Sequence, residues 1–192
     1  MRSLFLFALL ASSLFVNAQD YRTSMRMYRQ DYITKHEVVK GADKANLQFF
    51  EIKPEFKVEG SFVKKENSPW FQMQTSGTIK KMYRVYGTAS FTIDGTSYSL
   101  NIYQSQDLLN SSMKNYLFLP FTDATSGKDS YETGRYVDLN TTDINNGTIT
   151  IDFNKAYNPY CAYVDGKYNC PIPPKENNLA VAITAGERKY NK

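Results

Sequence analysis

The chain is poor in the residues on which common hydrolase and metal chemistry depends. Its 192 residues include one histidine, one tryptophan and two cysteines. Catalysis of the Ser-His-acid kind needs a base beside the hydroxyl, and the only candidate is His36, at the end of an N-terminal helical segment and expected to be solvated. No Gly-x-Ser-x-Gly elbow is present. One His cannot complete the usual zinc ligand set, and both glycine signatures of phosphate binding are missing. The sequence therefore implies no cofactor and no metal. Charge of one sign is also scarce, with 23 basic against 19 acidic residues. That bias is too mild to imply nucleic acid or an anionic membrane surface.

Long apolar runs are limited to Leu4 to Val16, interrupted by Ser12 and Ser13. Arg2 precedes this run and Val16-Asn17-Ala18 follows it, the three-part pattern of a cleavable export signal. The run is too short for a permanent span, and no cysteine follows the expected cut, as a lipoprotein would need. Residues 1–18 are thus expected to be a signal peptide and residues 19–192 a single globular domain, exported to the periplasm or secreted, with no membrane span. Cleavage would remove one Arg and no acid, leaving 22 basic against 19 acidic residues, a net charge of +3.

What the chain has in quantity is aromatic residues, 15 Tyr and 12 Phe, which favour strands. Tyr21, Met25, Tyr28 and Tyr32 recur at helical spacing while Arg22, Arg26, Arg29 and Gln30 point elsewhere. This predicts one amphipathic helix packed on the domain, ending before Gly41. After a short turn or helix at 43–47 the chain reads as strands at 57–63, 70–75, 79–93, 96–104, 116–120, 135–139, 148–153, 161–164, 167–170 and 179–184. Turn residues such as Asp94-Gly95 and Asn145-Asn146-Gly147 separate them. The predicted fold is mainly β, an antiparallel sandwich or partly closed barrel carrying the N-terminal helix.

The Asp94-Gly95 turn sets a register in which Phe91 faces Tyr98, Ala89 faces Leu100 and Gly87 faces Ile102 on the core side. On the other side Thr92 faces Ser97, Ser90 faces Ser99, Thr88 faces Asn101 and Tyr86 faces Tyr103. Two readings of this hydroxyl-rich side stand: a solvated outer face, or the lining of a cavity inside a barrel with Tyr86 and Tyr103 at its end. The Asp165-Gly166 turn likewise places Cys161 opposite Cys170 and Tyr163 opposite Tyr168. The two cysteines are expected to form a disulfide across a hairpin, with Cα atoms about 4.5 Å apart. A two-thiolate metal site lacks further ligands.

Two runs of alternating oxygen ligands, Asp123, Thr125, Asp129 and Asp138, Asn140, Thr142, invite a calcium reading. Lys128 and Asp143 stand where an EF-hand needs glycine, so solvated turns fit better. A stronger concentration of polar groups lies at strand ends and loops of the C-terminal half, where binding groups often sit. It comprises Asp123 and Arg135, then Asp152, Asn154, Tyr157 and Asn158, then Glu176, Asn177 and Glu187. Turn formation, capping and a structural Arg135–Glu187 pair are the competing explanation.

The run Asp152-Phe153-Asn154-x-Ala156-Tyr157-Asn158-Pro159-x-Cys161-Ala162-Tyr163 closely resembles an uncharacterised bacterial family catalogued as domain of unknown function sixteen-eighty-four. The likeness continues through Cys170-Pro171-x-Pro173-Pro174-x-Glu176-Asn177 and Ala185-Gly186-Glu187. Upstream, Phe121-x-Asp123-x-Thr125-Ser126-Gly127 with Tyr131 and Gly134-Arg135-Tyr136 resembles the family's other signature. The matches cover roughly residues 75 to 187, and the resemblance implies no established reaction, substrate or cofactor.

Three functions follow as expectations. The aromatic wealth and the poverty of nucleophile–base pairs favour a binding protein for a small molecule or envelope glycan. A carboxylate-based hydrolase would need two of Asp123, Asp152, Glu176 and Glu187 to face each other across a cleft. The third is a structural or protein-interaction module.

Overall fold

The computed structural model describes residues 2–191, with side chains from Gln19 onward. The leader assigned to residues 1–18, and its expected lack of core contacts, lies outside those described side chains. Helix α1 is Arg2–Lys35. The strands are β1 (Lys57–Lys64), β2 (Phe71–Met73), β3 (Lys81–Ile93), β4 (Thr96–Ser105), β5 (Tyr116–Phe121), β6 (Arg135–Asn140), β7 (Ile144–Asn145) and β8 (Thr148–Asp152). They form one antiparallel sheet in the order β6-β5-β4-β3-β1-β8-β7, with β2 added on β3.

Alternation builds the core. Val58 and Phe62 of β1, Ala89, Phe91 and Ile93 of β3, and Leu100 and Ile102 of β4 all turn to one face. Leu117, Leu119 and Phe121 of β5, Val137 and Leu139 of β6, and Ile149 and Ile151 of β8 join them there. The sheet curls around this cluster and does not close, because β6 and β7 are its two ends. Helix α1 lies across the gap: Tyr21, Ser24 and Met25 line a space of about 310 Å³ together with Val137 to Leu139 of β6 and Thr150 and Asp152 of β8. Met25 is 2% exposed, and burying a side chain of this size contributes about 2 kcal/mol. A helix laid over unpaired strand edges also shields them from foreign strands.

The helix stripe is therefore partly as expected, with three residues that depart from it. Arg22 turns inward, donating to the Ile52 carbonyl at 2.5 Å, and Arg29 stacks over Phe49. Tyr28 instead stays 37% exposed.

The β3–β4 register follows the Asp94-Gly95 turn from Ile93↔Thr96 to Gly87↔Ile102, and both turn residues take positive φ. It then breaks at a bulge, so Val85 and not Tyr86 faces Tyr103. Tyr86 stacks on Phe62, while Tyr103 is buried on the opposite side of the sheet with Met73, Tyr83, Phe118 and Tyr136. The reading of a polar cavity inside a barrel needs the same correction: the sheet is curled but open, as a partly closed barrel is, and its interior is apolar. The hydroxyls of Ser90, Thr92, Ser97 and Ser99 sit on exposed residues of the outer face.

Three predicted strands are absent among the described residues. Residues 161–164 and 167–170 do not pair as a hairpin, because the second segment is taken elsewhere: Cys170 O accepts from Ser76 N and Ile172 N donates to Gln74 O. Residues 160–162 form a 3-10 turn instead. The disulfide Cys161–Cys170 does form, but with Cα atoms 6.3 Å apart. Tyr163 does not pack on Tyr168; it meets His36 and Tyr190, and Tyr168 meets Tyr160. Residues 179–184 form no regular strand, because the chain bends at 180–181; Leu179 N donates to the Thr122 carbonyl, the Val181 carbonyl accepts from Ala124 N, and the Ile183 carbonyl accepts from the Arg135 guanidinium.

Candidate functional site

Strand β5 is apolar on both faces. Leu117, Leu119 and Phe121 enter the core, and the intervening Tyr116 and Phe118 must find cover outside. Phe118 pairs with Tyr103 on one side and Asp138 on the other, and Tyr116 pairs with Asn140. Paired residues share a face, so the outer side of β4, β5 and β6 carries an aromatic floor with one carboxylate, Asp138, set into it. The end of α1 and the segment 157–171 rise as walls. They enclose a cleft of about 620 Å³ lined by eight tyrosines, Phe118 and His36, with Asp31, Glu37, Asp138, Lys35 and Lys81 as its charged groups.

The rings meet mainly edge to face. Tyr136 lies against Phe118 at 4.7 Å and 69°, and against Tyr157 at 5.7 Å and 88°. Such contacts make corners rather than a flat platform. The hydroxyls of Tyr116 and Tyr157 both donate to Asp138 Oδ1 at 2.7 Å. Burial, with the Asp138 charge, holds both phenols well above their usual range, so they remain donors. Tyr160 donates to Glu37 at 2.8 Å, and burial with that bond pushes its phenol up to about 12. Tyr136 donates to the Pro171 carbonyl.

His36 is not solvated, as its position suggested, but 5% exposed. Its Nδ1 accepts from Val39 N at 2.9 Å, which assigns the proton to Nε2. That N–H has no hydrogen-bond acceptor and lies among the rings of Tyr32, Tyr160 and Tyr163. Burial first, then Lys44 and Lys40, lowers its basicity, so the ring is neutral. Among the described residues no three His, Cys, Asp or Glu side chains gather as metal ligands.

The family described as "Protein of unknown function (DUF1684)" matches residues 43–188. The chain belongs to this family. Among solved structures it is similar to an uncharacterized protein of Haloarcula marismortui determined by solution NMR. The two are 32% identical with a TM-score of 0.67, over 90% of this chain and 96% of that one. No curated protein matches.

Within this DUF1684 chain the polar residues singled out in the sequence are distributed through the frame rather than gathered in the cleft. Asp123 Oδ2 accepts from Arg135 Nη2 at 2.6 Å with both side chains buried, and its Oδ1 accepts from Thr125 N and Oγ1. Asp152 caps the turn at Asn154 and accepts from Tyr21 at 2.8 Å. Asn154 bonds both backbone groups of Lys53, and Asn177 pins Asn101 and Pro120. Glu187 accepts from Asn158 N, Tyr163 and Tyr32. Glu176 is exposed. Of that set only Tyr157 lines the cleft. Of the second candidate pair, Tyr86 packs on the core, and Tyr103 is buried within the aromatic floor without lining the cleft.

The residues that sequence reasoning missed are Asp138, Tyr116, Phe118 and His36. The available signal was the unbroken apolar run Tyr-Leu-Phe-Leu-Pro-Phe at 116–121, which requires cover on both faces and so implies that something packs, or binds, outside the sheet.

Proposed function

We propose that this protein is an exported binding protein whose ligand, a small polar molecule or the end of a glycan, occupies the tyrosine-lined cleft. The observation that carries this reading is the cleft itself: a concavity of about 620 Å³, within the size range of small-molecule sites, where aromatic walls surround a few converging polar groups. The interior of the curled sheet is filled with apolar side chains, and this outer face offers a ligand both shape and polarity. The hydrolase reading gains nothing from the buried carboxylates, since Asp123 is committed to Arg135 and Glu187 to two phenols and an amide. Export rests on the N-terminal pattern of residues 1–18, and N-terminal sequencing of the mature form is expected to begin at Gln19.

Native mass spectrometry of the protein purified without denaturation tests the binding role. A retained small mass, lost on Tyr157→Ala substitution, is the expected result. A bare-mass protein whose melting temperature responds to no member of a metabolite and oligosaccharide library would overturn it.

A further inference from the structure

We infer that the cleft recognises a protonated amine on a hydroxylated or carboxylated ligand, with its N–H groups directed at Asp138 Oδ2 between the tyrosine rings. This rests on the binding role proposed above and narrows it to a chemical class.

Much of the hydrogen-bonding capacity of the cleft is already used. Five cleft phenols give their protons to protein acceptors: Tyr116 and Tyr157 to Asp138, Tyr136 to Pro171, Tyr160 to Glu37 and Tyr32 to Glu187. A neutral sugar seeks donors and acceptors in alternation, whereas these phenols retain only lone pairs and ring faces. Asp138 repeats the asymmetry. Its Oδ1 receives two phenols, while its Oδ2 has no hydrogen-bond partner among the described residues. The open group at the floor is therefore an acceptor with a negative charge.

The rings reinforce that preference. Aromatic rings line the cleft around Asp138, and a cation within about 6 Å of a ring face is attracted by the ring quadrupole. A carboxylate set among aromatic rings holds an ammonium better than it holds a hydroxyl, because charge-assisted bonds are roughly twice as strong as neutral ones.

The basic groups of the cleft define the other end of the ligand. Lys35 is paired with Asp31 at 2.8 Å. Lys81 forms no ion pair among the described residues and lines the cleft. A ligand with an oxygen acceptor away from its amine satisfies it, which an alkylamine does not. Amino sugars and amino acids share this chemistry.

Matched pairs separate the sources. Titration calorimetry would compare glucosamine with glucose, and 6-aminohexanoate with hexanoate, against wild type and Asp138→Asn. Asp138 is exposed at the cleft, so the variant keeps the fold; a matching melting temperature would verify this. In at least one pair the amine is expected to bind about tenfold or more tightly than its neutral or anionic counterpart, and Asp138→Asn to remove that preference. Preference in the sugar pair points to an amino sugar, and in the acid pair to an amino acid. Equal affinities within both pairs, no binding by either amine, or a preference that survives Asp138→Asn would overturn the inference. A retained ligand without an amine would overturn it too while leaving the binding role intact.

Discussion

The Tyr32 hydroxyl on α1 donates to Glu187 Oε2 at 3.1 Å, fastening the helix to a carboxylate that is fully buried. Burial raises Glu187 to about 7 from an ordinary value of 4.5, although Asn158 N, Tyr163 and Tyr32 all act to lower it. Between those two pH values the folded chain holds a proton that the unfolded chain has released. Stability therefore falls as pH rises from about 4.5 to 7, by about 2 to 3 kcal/mol. His36, lowered by burial, contributes with the opposite sign, so the comparison must isolate Glu187. Melting curves of wild type and Glu187→Gln at several pH values do so. The variant is expected to gain on wild type between pH 5 and 8, with a constant difference below pH 4. Parallel curves across the range would exclude a raised Glu187.

The Asp123–Arg135 pair carries a different dependence, because Arg135 also holds the carbonyls of Ile183, Ala185 and Glu187. Together with backbone bonds to Thr122, Ala124, Phe50 and Gln48, it holds the C-terminal segment in place. Asp123→Asn leaves a buried guanidinium without its counterion and should cost about 3 to 5 kcal/mol. Urea unfolding measures this, and a loss below about 1 kcal/mol would show that the three carbonyls suffice for Arg135.

What could be read from the sequence depended on how locally each feature is determined. The helix stripe, the β3–β4 hairpin and a carboxylate partner for Arg135 follow from periodicity, turn chemistry and the cost of burying a charge, but which of Asp123, Asp152, Glu176 and Glu187 would serve did not; it is Asp123, and Glu187 meets Arg135 only through its backbone carbonyl. The hairpin reading failed at Tyr86, where a bulge depends on Phe62 from another strand. The cysteine hairpin failed because Gln74 and Ser76, far away in sequence, compete for the backbone of residues 170–172. The cleft was hidden for the same reason: Asp138 looks like a turn ligand until Tyr116 and Tyr157 are brought to it.

The bulge gives a direct test of that packing. An added Cβ at Gly87 would lie 2.2 Å from Phe62 Cζ and 2.7 Å from the Val63 carbonyl. Gly87→Ala is expected to destabilise by about 1 to 3 kcal/mol through overpacking, and Gly87→Ala with Phe62→Leu to lose less than the sum of the two single changes. Additive losses would place the constraint in the backbone rather than the ring.

The disulfide links two segments of one cleft wall, since Pro159, Tyr160 and residues 168–171 all line it. Cys161 N also donates to Cys170 Sγ at 3.2 Å, and Ser76 bonds both Cys161 Sγ and Cys170 N. Closing a loop of sequence separation 9 should contribute about 2 to 3 kcal/mol through the unfolded state. The Cys161→Ala, Cys170→Ala double variant is expected to lose that much in urea unfolding at pH 7, and free-thiol titration of the unreduced protein to find none. Because residues 170–172 are independently tied to 74–76, the wall should keep its backbone pairing. Amide exchange at Ile172 is therefore expected to stay slow in the variant relative to its own global unfolding, whereas the amides of Cys161 and Ala162 speed up. Equal acceleration on both sides would mean that the bridge, not the pairing with residues 74–76, holds the cleft wall in place.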